Sequence, residues 1–251
     1  ILFGWAATRQ YALAEAAVAA SGVAMLSNLA LLYWRSELRG TGHAVSPWTK
    51  ELGQYLLVSA ASVGAGYCFT QGDLLVAQRY FTGPELGTYS AAGVLGRALP
   101  MLVAPMLTVL FTSRSGHRAV SALRAQLGLL GLYAAGLGCG VVGLLLLRGL
   151  FVKLIFGKPA PEAEAMVGWF AVTMALVGLI QALGMWALAS RWFKVALLYG
   201  GLGLAYWLVL LALGKTPEAM LRVMPGSAAA AFVVLFIAWW VAMRTAGRED
   251  P

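Results

Sequence analysis

The chain has 251 residues, of which 61% are hydrophobic and only 11% charged, with a mean hydropathy of +0.79. A water-soluble domain of this size carries about 25% charged residues, so the composition points instead to spans of about 20 apolar residues, closed as helices because lipid offers the backbone no partners. The formal charge of +8 is spread over short segments between apolar stretches, which suits orientation in a membrane and contact with anionic lipid, and argues against nucleic acid.

Seven helices are predicted, over residues 10–34, 52–80, 84–112, 123–147, 163–189, 194–213 and 222–244. The opening Ile1-Leu2-Phe3-Gly4-Trp5 has neither a basic n-region nor a cleavage site and is taken as the tail of an earlier apolar segment. The first span carries Glu15, placed at the interface, and Asn28, which suits a cavity lining or a helix–helix hydrogen bond. The segment from Arg35 to Lys50, with Gly40, Gly42 and Pro47, is the longest connection. It divides the chain into residues 1–50 and a six-helix region over 51–251.

The second span holds Asp73, preceded by Gln71 and Gly72, with Tyr67 and Thr70 about a turn away. A carboxylate at membrane depth is costly, so its default position is the bundle interior. Two roles stay open: binding Na⁺ or a proton, or a structural hydrogen bond to a neighbouring helix. Arg97 stands mid-way along the third span and is the only base at the centre of any span. Its guanidinium fork suits a phosphate in a cavity. Equally, it suits a buried partner for Asp73, or for a carbonyl that Pro100 frees. Tyr89 and Ser90, nearer the start of that helix, are placed in the interfacial region.

Farther along, Gly136-x-x-x-Gly140 is a close-packing signal, and Gln181 is a weaker cavity or hydrogen-bonding candidate. Gly200, Gly201 and Gly203 suit packing more than a hinge, and Trp239 and Trp240 suit an interfacial belt. Cys68 and Cys139 lie in apolar spans with no CxxC or Cys/His cluster, which favours packing roles over a disulfide or metal site. Pro84-Glu85, Pro161-Glu162 and Pro217-Glu218 share one device, since proline suits the first helical turn and a carboxylate there complements the positive helix end. They open alternate spans and therefore lie on one membrane side. The opposite face collects more Lys and Arg, from Arg35 to Arg248, and is assigned to the cytoplasm together with the C-terminus. No HExxH, G-x-S-x-G, Walker A or paired intramembrane aspartates occur in a suitable setting, which argues against an enzyme.

The run from Asp73 through Phe81-Thr82-Gly83-Pro84-Glu85-Leu86-Gly87-Thr88-Tyr89-Ser90-Ala91-Ala92 resembles the polysaccharide-biosynthesis flippases of the multidrug/oligosaccharidyl-lipid/polysaccharide exporter superfamily. The pattern is an Asp late in one helix, a short Gly-containing loop with Tyr, then a small-residue helix. The glycines here are spaced Gly-x-x-x-Gly, one residue shorter than in the family. A second similarity is Leu154-Ile155-Phe156-Gly157 followed by Ala163-Glu164-Ala165. The resemblance implies an all-α integral membrane protein, with the first span as the last helix of an N-terminal lobe and the other six as a complete C-terminal lobe. It further implies translocation of polyprenyl-diphosphate-linked oligosaccharide by alternating access in the bacterial cytoplasmic (inner) membrane, alongside polysaccharide assembly machinery and with no cofactor beyond a coupling Na⁺ or proton. The substrate and ion candidates are then Asp73, Arg97, Gln71, Asn28 and Gln181. The alternatives are a drug or lipid exporter of the same superfamily, or a membrane-embedded glycan-assembly enzyme or scaffold.

Overall fold

The computed structural model describes residues 47–116, 120–157 and 160–246, so the first predicted span, with Glu15 and Asn28, lies outside the described residues. By contacts the chain divides into residues 1–50 and 51–251, and the packing described below belongs to the second unit. Six helices are present among the described residues: α1 (Pro47–Tyr80), α2 (Gly83–Gly116), α3 (Val120–Phe156), α4 (Pro161–Ala189), α5 (Phe193–Leu213) and α6 (Pro217–Ala246). Five of them, α2 to α6, are long and apolar enough to cross a membrane. Helix α1 has the length, but Ser59, Ser62, Thr70, Gln71, Asp73 and Gln78 dilute its apolar character.

The helix ends follow local chemistry. Pro84, Pro161 and Pro217 stand in the first turns of α2, α4 and α6, with Glu85, Glu162 and Glu218 beside them, where a missing N–H costs nothing and a carboxylate meets the positive end of the helix dipole. Glu85 also reaches back: its Oε2 accepts from the Thr82 N–H at 3.1 Å and the Thr82 hydroxyl at 2.8 Å, half of a capping box. At α6 the Thr216 hydroxyl accepts from the Ala219 N–H. Helix α3 stops at Gly157, whose φ of +68° is the left-handed conformation glycine adopts without strain. Helix α4 ends in a Schellman turn, with the N–H of Trp192 on the Ala187 carbonyl and that of Arg191 on the Leu188 carbonyl. The residue held left-handed there is Arg191, at φ 58°.

Several helices outrun their predicted apolar stretches. Helix α3 continues through Arg148 and Lys153, and α6 starts five residues before Arg222. Polar residues at the membrane boundary leave the helical hydrogen bonds intact, so hydropathy underestimates length. Pro100 and Pro105 lie inside α2 and Pro225 inside α6.

Helix α4 is the hub, packing against α2, α3, α5 and α6, and it is the most buried of the five apolar spans. Small residues set the close approaches. A Cβ on Gly96 would stand 2.6 Å from the Phe170 Cβ, one on Gly140 2.8 Å from the Leu99 Cδ2, and one on Gly203 2.6 Å from the Ala65 Cα. Gly136 and Gly140 thus face α2, the packing use that their spacing suggests. Gly200 and Gly203 bring α5 against Ala61 and Ala65 of α1, with Phe69 stacked on Tyr199 at 5.9 Å and tilted against Tyr206 at 5.0 Å.

Candidate functional site

Asp73 lies seven residues before the end of α1, about 10 Å along the helix axis, and is wholly buried. Four neighbouring helices supply its surroundings. Arg97 of α2 donates from Nη2 to Asp73 Oδ2 at 2.5 Å and from Nε to the Thr70 carbonyl at 2.8 Å. Both of those nitrogens are thus committed to α1. Tyr89, two turns earlier on α2, donates its hydroxyl proton to the same Oδ2 at 2.9 Å. The Sδ of Met224 on α6 lies 3.2 Å from that hydroxyl, but thioether sulfur is the weaker acceptor, so the proton goes to the carboxylate.

The apolar walls are equally specific. Phe170 of α4 packs edge-on to Tyr89 at 4.9 Å and lies beneath the Arg97 guanidinium at 5.7 Å. Gly93 and Gly96 make room for it, since a Cβ at Gly93 would stand 2.7 Å from Arg97 Nη1 and 3.3 Å from the Phe170 ring. The site therefore needs two glycines on the face of α2 that carries Tyr89 and Arg97.

Among the described residues, Asp73 Oδ1 and the hydroxyl of Tyr206 on α5 are buried with no hydrogen-bond partner. Tyr206 is within electrostatic reach of both Asp73 and Arg97. A buried polar atom without a partner costs about 1–3 kcal/mol and calls for an explanation. Chemically, the carboxylate has one oxygen fully engaged and one free to accept a further donor, a proton or a cation. Any of these arriving at Oδ1 competes with Arg97 for the carboxylate charge.

Of the residues singled out from sequence, Asp73 and Arg97 come together. Gln71 is half-buried on α1, two residues from Asp73 and so on a different side of the helix. Gln181 of α4 stands near Gly66, its Nε2 3.9 Å from where a Cβ would be, roughly 10 Å along α1 from Asp73. Asn28 lies outside the described residues. Tyr89, expected at the interface, is fully buried: its position near the helix start signals an interfacial ring, but the packing of α2 on α4 covers it. Trp239, also expected at the interface, is buried against Trp186 at 5.1 Å, while Trp240 is exposed beneath Arg244. Tyr206 and Phe170 carried no sequence signal, because aromatic residues in apolar helices are ordinary core.

No protein-family model, no curated protein sequence and no solved structure matches this chain. Its class rests on its own helices: an all-α chain with five helices long and apolar enough to cross a membrane, as in a multi-pass membrane protein.

Proposed function

We propose that this chain is the C-terminal part of a flippase that moves polyprenyl-diphosphate-linked oligosaccharide across a bacterial inner membrane by alternating access, with its C-terminus in the cytoplasm. The single observation that carries the reading is the buried Asp73–Arg97 pair with one uncommitted carboxylate oxygen. Ionisable residues at membrane depth are expensive, and by default they mark a functional position, usually with a named partner. The run from Asp73 to Ala92 that resembles the polysaccharide flippases includes Asp73 and Tyr89, two of the residues joined in this cluster. In repeat-built transporters the coupling site lies between packed elements that exchange two arrangements. Here the exchange variable is whether Asp73 is shared with Arg97 or taken by an incoming cation or proton at Oδ1. Arg97, released in the second case, is then free to meet an anionic diphosphate.

A second reading has its own support: Arg97 is already held by Asp73 and the Thr70 carbonyl, as a pin joining α1 to α2 would be. That reading fits a scaffold or an exporter whose substrate never meets Arg97. The test is translocation of a fluorescent polyprenyl-diphosphate sugar in liposomes holding the full-length protein. Translocation above protein-free liposomes supports the flippase. Absence of movement, with drug or phospholipid probes moved instead, transfers the reading to an exporter, and movement of neither favours the scaffold.

A further inference from the structure

An apolar groove of about 310 Å³ opens between α3, α4 and α6, lined by Leu127, Leu130, Gly131, Leu183, Phe232 and Phe236 among others. A smaller hollow of about 170 Å³ continues it along α6, bounded by Phe236, Ile237 and Trp240. Phe232, Phe236, Trp240 and Arg244 recur every four residues and so form one stripe on α6. Their contacts run unbroken, with ring centroids at 5.8 and 6.3 Å and the Arg244 guanidinium 4.9 Å above the Trp240 ring. From Phe232 to Arg244 the stripe spans about 18 Å, close to the roughly 15 Å of one leaflet's hydrocarbon.

Helix direction places this groove. In an antiparallel series the start of α3 and the ends of α4 and α6 share one membrane side, opposite the Pro-Glu starts. The groove residues lie toward those ends, so it occupies one leaflet and reaches the surface at Arg244, an exposed cation. Within α3 to α6 the charge at that end is basic, with Glu249 and Asp250 following beyond α6. Helix α3 contains no carboxylate, and α6 contains none after Glu218, while Arg191 and Lys194 stand exposed in the adjoining turn. An apolar channel of one leaflet's length with a cationic mouth is complementary to one molecule type: a lipid with an acyl chain and an anionic head.

We propose that the α3–α4–α6 groove is a binding site for an anionic glycerophospholipid of that leaflet, its acyl chain lying along Phe232 and Phe236 and its phosphate on Arg244. The site is distinct from the Asp73 cluster, which lies toward the opposite ends of the helices, and it does not depend on what the protein transports.

The test is electron spin resonance of the full chain reconstituted in phosphatidylcholine vesicles, with chain-labelled phosphatidylglycerol or chain-labelled phosphatidylcholine as probe. Wild type is expected to hold phosphatidylglycerol in the motionally restricted population about fivefold more strongly than phosphatidylcholine, the preference one interfacial cation supports. Arg244→Gln brings that ratio to about one. Gly131→Leu fills the groove and lowers the restricted population of both lipids; its Cβ meets nothing within 4 Å, so helical circular dichroism should be unchanged. Equal retention of the two lipids by wild type, a preference that survives Arg244→Gln, or a restricted population untouched by Gly131→Leu would each overturn the assignment.

Discussion

Removing Arg97 alone should be far more damaging than removing Arg97 and Asp73 together. In Arg97→Met the carboxylate of Asp73, wholly buried, keeps among the described residues only the Tyr89 hydroxyl at 2.9 Å. Two hydrogen bonds are lost, to Asp73 Oδ2 and to the Thr70 carbonyl. Side-chain hydrogen bonds between membrane helices contribute about 0.6 kcal/mol on average and at most about 1.7 kcal/mol, so these two supply no more than about 3 kcal/mol. The uncompensated buried charge raises the loss to about 3–5 kcal/mol. Asp73→Leu strands the guanidinium and should cost a similar amount. In the double variant Asp73→Leu/Arg97→Met neither charge remains, and apolar side chains of similar volume occupy the space beside Phe170. Its stability should lie within about 2 kcal/mol of wild type, giving a coupling energy of about 4 kcal/mol or more. Equilibrium unfolding in mixed dodecyl maltoside–dodecyl sulfate micelles, followed by helical circular dichroism, measures all four corners of the cycle. Additivity within about 0.5 kcal/mol, the behaviour of independent sites, would refute the pairing.

The two tyrosines of the cluster should respond oppositely. Tyr89→Phe removes a donor to a buried carboxylate and should destabilise by about 0.6–1.7 kcal/mol, whereas Tyr206→Phe deletes a hydroxyl with no partner among the described residues and should be neutral or stabilising by up to about 1 kcal/mol in the same unfolding assay. Gly96→Ala forces a Cβ within 2.6 Å of the Phe170 Cβ and 3.1 Å of its backbone oxygen. It should cost about 1–3 kcal/mol, while Gly138→Ala, with nothing within 4 Å, should gain up to about 1 kcal/mol of helix propensity. Arg191→Gly relieves a left-handed non-glycine residue in the α4–α5 turn and should raise stability by about 1 kcal/mol, read as a shift in the unfolding midpoint.

The elements most legible in the sequence were those set by local chemistry. The Pro-Glu pairs mark the starts of α2, α4 and α6 because a missing N–H and a carboxylate each act within one turn. Asp73 and Arg97 stand out because an ionisable group in an apolar run is rare whatever the tertiary structure. Their pairing was one of several options, since which carbonyl or carboxylate an arginine meets depends on how α1 lies against α2. Tyr89, Phe170 and Tyr206 were illegible as site residues for the same reason: an aromatic side chain in an apolar helix looks alike in core, interface and site. The glycines fall between these cases. Gly136-x-x-x-Gly140 announces close packing by its spacing, but Gly93 and Gly96 acquire their meaning only when Phe170 is placed against them.

On the proposed reading, Asp73 exchanges Arg97 for an incoming cation or proton during transport. The most direct test compares wild type and Asp73→Asn in the full-length protein for translocation of the fluorescent polyprenyl-diphosphate sugar, with and without an imposed Na⁺ or proton gradient. Gradient-stimulated translocation is expected of wild type, with a variant that is expressed and inserted normally but at least tenfold slower and indifferent to the gradient. Equal rates and equal gradient response in the two proteins would contradict it and leave Asp73 as a pin between α1 and α2.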